Sequence, residues 1–379
     1  MEHIVLPAFA GWAGPRNPRI LIVGEAWGEN EQQVRQPFVG ASGLLLWEML
    51  GEAMPEVMPN WHAEAKNFAY KFGNPWIRVR ERWLENAGIA YTNVFNLRPL
   101  ANRLETLCCD KRSAPPGWPA VSLGKYVRHE YLPEVERLLA EIEHSRPHII
   151  VAAGNTAAWA LLRATNIGSI RGTVALSTVC GTKVIPIYHP AAILRQWSWR
   201  PITVADLIKA GREAASPDLV RPERYVVINP DLYEIREWWQ KVDPYELIAC
   251  DIETHKGQIA CIGFADSKSN ALVVPFIDLA KPGHHYWPTY ENELSAWSMV
   301  KTMLEGTNPK LFQNGLYDIQ YILKMGIRPQ NLTHDTMLLH HSAYPELRKG
   351  LGFLGSIYTN EAAWKLMGRP KADTVKRDE

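Results

Sequence analysis

The stretch "RILIVGEAWGENEQQVRQPFVGASG", Arg19 to Gly43, decides the fold. Ile20 to Val23 form an unbroken apolar run that ends at a glycine, the pattern of a strand buried on both faces. Gly24 and Gly28 then bracket a turn that carries a carboxylate, Glu25. A small-residue turn at the carboxyl end of a strand is where an open α/β sheet builds its site. Pro37-Phe38 follows closely, so an acid and an aromatic plate come from one short segment.

Outward from this stretch, strand and helix patterns alternate. "SGLLLWEMLGEAM" and "LPEVERLLAEIEHS" have helical character, and "YTNVFN" and "PHIIVAAG" read as strands. "NTAAWALLRA" is again helical, and "KVIPIYHP" is a strand that stops at Pro190. This alternation predicts a three-layer αβα domain with a parallel sheet covered on both faces. Two segments, Pro55 to Gly88 and Leu104 to Tyr126, read as loop insertions. Arg212 to Arg224 is polar with two prolines, a linker composition. Beyond it, "ELIACDIETHKGQIACIGFADSKSNALVVPFI" reads as three antiparallel strands, and "LFQNGLYDIQYILKMG" as a strand running into a helix, an α+β pattern. The expected domains are 1–215 and 225–379, joined by a linker at 216–224.

Composition narrows the function. A chain of 379 residues with 46% apolar content has room for two cores. No apolar run is long enough to span a bilayer, and "MEHIVLPAFAGWAGPRNP" lacks a basic leader, so no membrane partner and a cytoplasmic location are expected. Five cysteines without CxxC spacing suit a reducing compartment and argue against a zinc site. A net charge of +1 argues against bulk capture of nucleic acid. Val151 to Arg200, however, holds Arg163, Arg171, Lys183, Arg195 and Arg200 with no Asp or Glu, which predicts a phosphate-facing surface.

Four blocks fall at predicted strand ends: "GEAWGENE…PFVG", "TNVFNLRPLANR", "AAGNTAAWALL" and "IYHPAAILR". In a doubly wound sheet they converge on one crevice holding Glu25, Phe38, Asn93, Asn102 and His189. An aromatic ring can stack on a planar base, and an Asn amide can pair with a pyrimidine edge. A carboxylate can orient water towards a sugar carbon, and an imidazole can hydrogen-bond a carbonyl as charge develops on a leaving base. Together these suit hydrolysis of an N-glycosidic bond in a nucleotide flipped out of the stack.

In this order the blocks resemble the uracil-DNA glycosylase superfamily, closest to its family-4 type, from about Arg19 to Arg195. The resemblance implies Glu25 as the water-activating carboxylate, Glu31 as a second acid, and Phe38 as the stacking ring. It implies Asn93 and Asn102 at the base edge, and His189 beside the leaving uracil. Leu194 and Arg195 match the loop that enters the DNA, whether single- or double-stranded. Family-4 members hold an iron–sulfur cluster with four cysteines. Leu97 stands where one falls and no CxxC precedes Gly24, so no cluster is expected here, and no other cofactor for base release. Trp27 replaces the proline of the family's turn. The second insertion contains no histidine, so covalent trapping is not expected, and no lysine matches a lyase position.

The second half carries another constellation. Asp251 and Glu253, two apart in a strand, face one side. Asn314 and Asp318 of "NGLYD" fall at i, i+4, read as one helix face. The stretch from about Glu223 resembles the 3′–5′ exonuclease domain of phage-type family-A DNA polymerases, a ribonuclease-H-like fold. That resemblance implies Asp251, Glu253 and Asp318 as ligands for Mg2+. No tyrosine-xxx-aspartate motif follows Asp335, so the fourth ligand is missing and nuclease activity is doubtful. A DNA polymerase partner and a bacterial or phage-infected host are implied by the same resemblance. The rival reading is a nuclease whose N-terminal half only binds uracil-containing or single-stranded DNA. A change of base specificity also stays open.

Overall fold

The computed structural model describes residues 5–60 and 74–361. The chain forms two compact units, Met1–Leu219 with Gly352–Glu379, and Val220–Leu351. In the first, β1 (Ile20–Ala26) is central. It pairs in parallel with β2 (Ile89–Phe95) on one side and β5 (Ile149–Ala153) on the other. β7 (Lys183–Ile187) continues the sheet in parallel, and a two-residue strand, β6 (Ala175–Leu176), closes its edge in antiparallel. The order is β2-β1-β5-β7-β6, with a separate ribbon of β3 (Cys108–Cys109) and β4 (Tyr126–Val127).

Strand alternation builds two cores. Ile20 and Ile22 enter one with Trp47, Tyr91 and Val151, while Leu21 and Val23 enter the other with Val94, Ile150 and Trp159. The sheet is thus buried on both faces, as its unbroken apolar strands require. Helices α1 (Glu29–Val34) and α2 (Ala41–Ala53) follow β1. Next come α3 (Asn74–Ala87), α4 (Leu132–Ser145) and α5 (Asn155–Leu162). A short α6 (Pro190–Ile193) and α7 (Arg200–Glu213) complete the run.

Three expectations change. The first insertion is not all loop: α3 occupies its second half, while residues 61–73 lie outside the described residues. The basic stretch is a charged surface only in part, with Arg195 exposed. Arg171 is buried against Asp206, Lys183 is buried against Glu213, and Arg200 pairs with Glu52 at 2.7 Å. Its acidic partners come from outside the segment, which composition could not reveal. The division also departs from 216–224 and 225–379. Lys183 Nζ donates to the carbonyls of Glu213, Ser216 and Asp218, fastening the start of the linker to the sheet. Near the chain's end, Lys209 Nζ donates to the Ser356 and Thr359 carbonyls at 2.6 Å, within the first unit.

The second unit has six strands: β8 (Tyr225–Val227), β9 (Ile248–His255), β10 (Gln258–Ala265), β11 (Asn270–Pro275), β12 (Lys310–Phe312) and β13 (Leu332–Asp335). Their order is β13-β12-β9-β10-β11-β8. β9, β10 and β11 are antiparallel as the sequence predicts, while β12 runs parallel to β9 and β13 to β12. Lys256 (φ 48°) and Gly257 (φ 81°) make the β9–β10 turn, a pair that needs φ > 0 at both positions. The "NGLYD" expectation changes too. The helix α8 (Leu316–Lys324) starts after Asn314, which stands at φ 58° outside it.

Candidate active site

Parallel neighbours β2, β1, β5 and β7 end along one edge, and their tips carry Asn93, Glu25, Gly154 and His189. Between them stands the turn of Phe38. Its φ of 54° is uncommon for a residue with a side chain. Glu31 Oε1 accepts from the Val39 and Gly40 amides at 3.0 and 2.9 Å. Arg80 of α3 donates to the Pro37 and Phe38 carbonyls at 2.6 and 2.8 Å. Gly43 is obligatory here, because a Cβ would sit 1.8 Å from the Phe38 carbonyl oxygen. Glu31, predicted as a second acid of the site, is thus bonded to the backbone of the stacking turn.

The Phe38 ring packs edge-on to Tyr91, with centroids 5.3 Å apart. At Gly24 the ring and Asn93 meet: a Cβ on Gly24 would lie 2.7 Å from Phe38 Cζ and 2.2 Å from Asn93 Oδ1. Asn93 is buried, yet its Nδ2 has no hydrogen-bond partner among the described residues. A buried donor without a partner carries a free-energy cost that a bound acceptor removes. The backbone behind it is fixed. Arg137 of α4 pairs with Glu134 and Glu141 at 3.0 and 2.7 Å and donates to the Asn93 and Val94 carbonyls.

Glu25 ends β1, and its Oε2 accepts from the Thr156 hydroxyl at the start of α5. Burial pushes its carboxyl above the usual range, and the Thr156 bond opposes the rise. Glu105 adds to the rise and Arg195 opposes it. His189 caps α6, and its Nδ1 accepts from the Ala191 amide at 3.2 Å, which assigns the ring proton to Nε2. Burial, then the Arg195 cation, pushes His189 down to about 4, so at neutral pH it is an uncharged donor. Its ring is near-parallel to Phe38, 27° between planes and 6.1 Å between centroids. Gly154, at φ 90°, lets β5 end within 3.1 Å of His189 Cβ, measured from where its own Cβ would be.

Glu25, Phe38, Asn93 and His189 therefore gather at one edge. Asn102 does not join them through any side-chain bond: it is exposed at φ 55°, and its Oδ1 accepts from Arg98 at 2.8 Å. Leu194 and Arg195 are exposed just beyond α6, and Trp197 beside them is 59% exposed. Sequence reading missed Arg80, Thr156 and the Glu134–Arg137–Glu141 group. Of these, only the last carried a signal, its i, i+3, i+7 spacing on one helix face.

The described residues do not fit an iron–sulfur cluster. Leu97 offers no ligating atom and packs against an apolar core containing Trp12 and Cys108. The Cys108 and Cys109 thiols hydrogen-bond separately, to the carbonyls of Leu104 and Ser113. In the second unit, Asp251 and Glu253 are exposed on β9 and Asp318 is buried, its Oδ1 accepting from the Ile252 amide at 2.9 Å. Asp335 caps the helix Thr336–Ala343 and also accepts from the Asn314 and Gly315 amides. Among the described residues, no group of three or more His, Cys, Asp or Glu is arranged to hold a metal.

Acid, amide and imidazole thus stand at the strand tips of a parallel sheet, with an aromatic ring from a turn between them. The model of the uracil DNA glycosylase superfamily matches residues 12–210, and the chain belongs to that superfamily of hydrolases. A type-4 uracil-DNA glycosylase of Thermotoga maritima is 29% identical over 201 residues, 52% of this chain and 78% of that one. Those of Archaeoglobus fulgidus (29% over 205 residues, 52% and 78%) and Saccharolobus solfataricus (27% over 210 residues, 54% and 74%) are similar. A solved RNase D of Escherichia coli covers 37% of this chain and 34% of its own at 17% identity, with a TM-score of 0.27 too low to carry an argument.

Proposed function

We propose that the first unit releases uracil from DNA by hydrolysing the N-glycosidic bond of a flipped-out deoxyuridine. One observation carries this reading: the buried Asn93 Nδ2 has no hydrogen-bond partner among the described residues, and Asn93 and the Phe38 ring both close on Gly24. A free amide donor beside an aromatic ring suits a flat ring with an acceptor on its edge. The base stacks on Phe38 and pairs with Asn93. His189 Nε2–H donates to the uracil carbonyl as negative charge develops. Glu25 holds a water against the sugar C1′ and takes its proton as the C1′–N1 bond breaks and the C1′–O bond forms. The products are uracil and an abasic site. No step is assigned to a metal or a cluster.

We further propose that the second unit is ribonuclease-H-like. The support is its strand pattern: three antiparallel strands, then two that extend the sheet in parallel from the first. Asp251, Glu253 and Asp318 are its candidate ligands for Mg2+.

The test uses the full chain on an oligonucleotide with a single uracil, followed by alkali and sizing, with and without EDTA. Free uracil and an alkali-labile site in EDTA are expected. Shortening that needs Mg2+, with no free uracil, sinks the reading in favour of the nuclease. Parallel substrates with hypoxanthine or xanthine test the base.

A further inference from the structure

We propose that Arg80 is a positioning residue for base stacking: it holds Phe38 in its left-handed conformation before any base arrives. The proposal rests on the stacking role given to Phe38 above. Arg80 is completely buried. Nη1 donates to both the Pro37 and Phe38 carbonyls, and Nη2 donates to Gln36 Oε1 at 2.7 Å. It forms no ion pair with a carboxylate among the described residues, and its Nε has no partner. A buried cation is costly unless hydrogen-bonded, and it is usually matched by an anion. Here the compensation comes from three consecutive residues of one turn. The turn cannot swing away without stranding the charge, so the two are locked together.

Glu31 completes the lock from the other side. Carbonyls before the turn's apex bind the cation, and amides after it bind the anion. Phe38 between them is kept at φ 54°, a conformation that relaxes when unsupported. The guanidinium also stands 5.7 Å over the Tyr91 ring, which is edge-on to Phe38. A ring fixed in advance binds its base without an ordering cost. Arg80 therefore acts on base affinity rather than on bond cleavage.

The experiment compares Arg80→Met, Arg80→Lys and a core control, Leu46→Ala, in the full chain. Kinetics are read on a single-stranded uracil oligonucleotide below the melting temperature of each variant, with free uracil as inhibitor. Arg80→Met should raise KM and the inhibition constant for uracil together, at least tenfold, with kcat changed less than threefold. Arg80→Lys, whose ammonium can reach both carbonyls, should recover most of the loss. Leu46→Ala should lower the melting temperature and leave KM alone. Amide exchange at Val39 and Gly40, read by NMR or mass spectrometry, should quicken at least a hundredfold in Arg80→Met and not in the control. Unchanged exchange overturns the inference whatever the substrate is, and so does a KM within twofold of wild type. Should the unmodified chain release no uracil, the function assigned above falls while the exchange result still decides the role of Arg80.

Discussion

The Thr156 hydroxyl donates a hydrogen bond to Glu25 Oε2, joining the start of α5 to the tip of β1. This bond favours the ionised carboxylate, whereas burial disfavours it and prevails. The folded chain therefore holds the Glu25 proton more tightly than the unfolded chain does. In the proposed role of general base, Glu25 must be ionised, so activity should fall as pH drops through its raised value.

Removing the Thr156 donor should move that acid limb to higher pH. Thr156→Val is expected to shift the midpoint of the kcat/KM profile upward and to leave the neutral plateau within severalfold. A midpoint that stays put, or moves down, contradicts the assignment. Glu25→Gln should slow release by about 10²–10⁴, the usual worth of a general base. The same change should raise the melting temperature at pH 7, because it removes a desolvated charge. That gain should shrink as pH falls through the raised pKa, where the wild-type carboxyl is itself neutral.

Asn93 offers one acceptor and one donor set, which match the carbonyl and N–H of uracil. A carboxylate at this position would offer only acceptors, so the test is Asn93→Asp. Uracil release should fall about 10- to 100-fold, the worth of a good paired contact to a base edge. Cytosine carries an amino group at that edge, so the ratio of cytosine to uracil release should rise. Equal loss on both bases would remove Asn93 from base reading.

Much of this site was legible because its chemistry is local. "RILIVGEA" is both a buried strand and the carrier of Glu25, and parallel order then brings Asn93 and His189 to the same edge. What was not legible depended on distant partners. Arg80 sits in the segment Pro55 to Gly88, which reads as a loop insertion, and its role exists only once α3 lies under Pro37-Phe38. The five cations of Val151–Arg200 misled for the same reason. Asp206, Glu213 and Glu52 neutralise three of them from elsewhere in the chain. Asn314 and Asp318 have helical spacing, yet Asn314 is left-handed and stands before α8, which breaks the shared face.

Leu194 and Trp197 are 48% and 59% exposed on the segment following His189. Large apolar side chains beside a base pocket suit filling the gap left by an extruded nucleotide. Only a duplex has a stack to hold open. Leu194→Ala should therefore cost roughly tenfold on double-stranded substrate, a modest part of the unstacking energy, and under twofold on single strands. Trp197→Ala should follow the same pattern. Equal losses on both substrates would place the segment outside the strand-separating role.

Arg171 and Asp206 form a buried pair through Nε at 2.8 Å and a second, shorter contact from Nη2. Arg171 Nη1 also donates to Ser356 Oγ, and Lys209 donates to the Gly172, Ser356 and Thr359 carbonyls. Asp206 is thus in direct contact with Arg171, while Lys209 acts on it only through its charge. Burial pushes the Asp206 carboxyl up, and the two cations oppose that shift. Asp206→Asn keeps the shape and removes the charge, leaving Arg171 buried without its anion. Breaking a buried pair this way costs about 3–5 kcal/mol. Ser356→Ala removes one neutral partner and should cost less, about 1–3 kcal/mol. Replacing Arg171 and Asp206 together with Met and Leu should recover much of the loss, because no lone charge of the pair remains. Urea unfolding followed by amide exchange within residues 149–187 measures all three. A loss under about 1 kcal/mol for Asp206→Asn would mean that water or a rearranged Lys209 already satisfies Arg171, and that the pair does not hold the C-terminal segment in place.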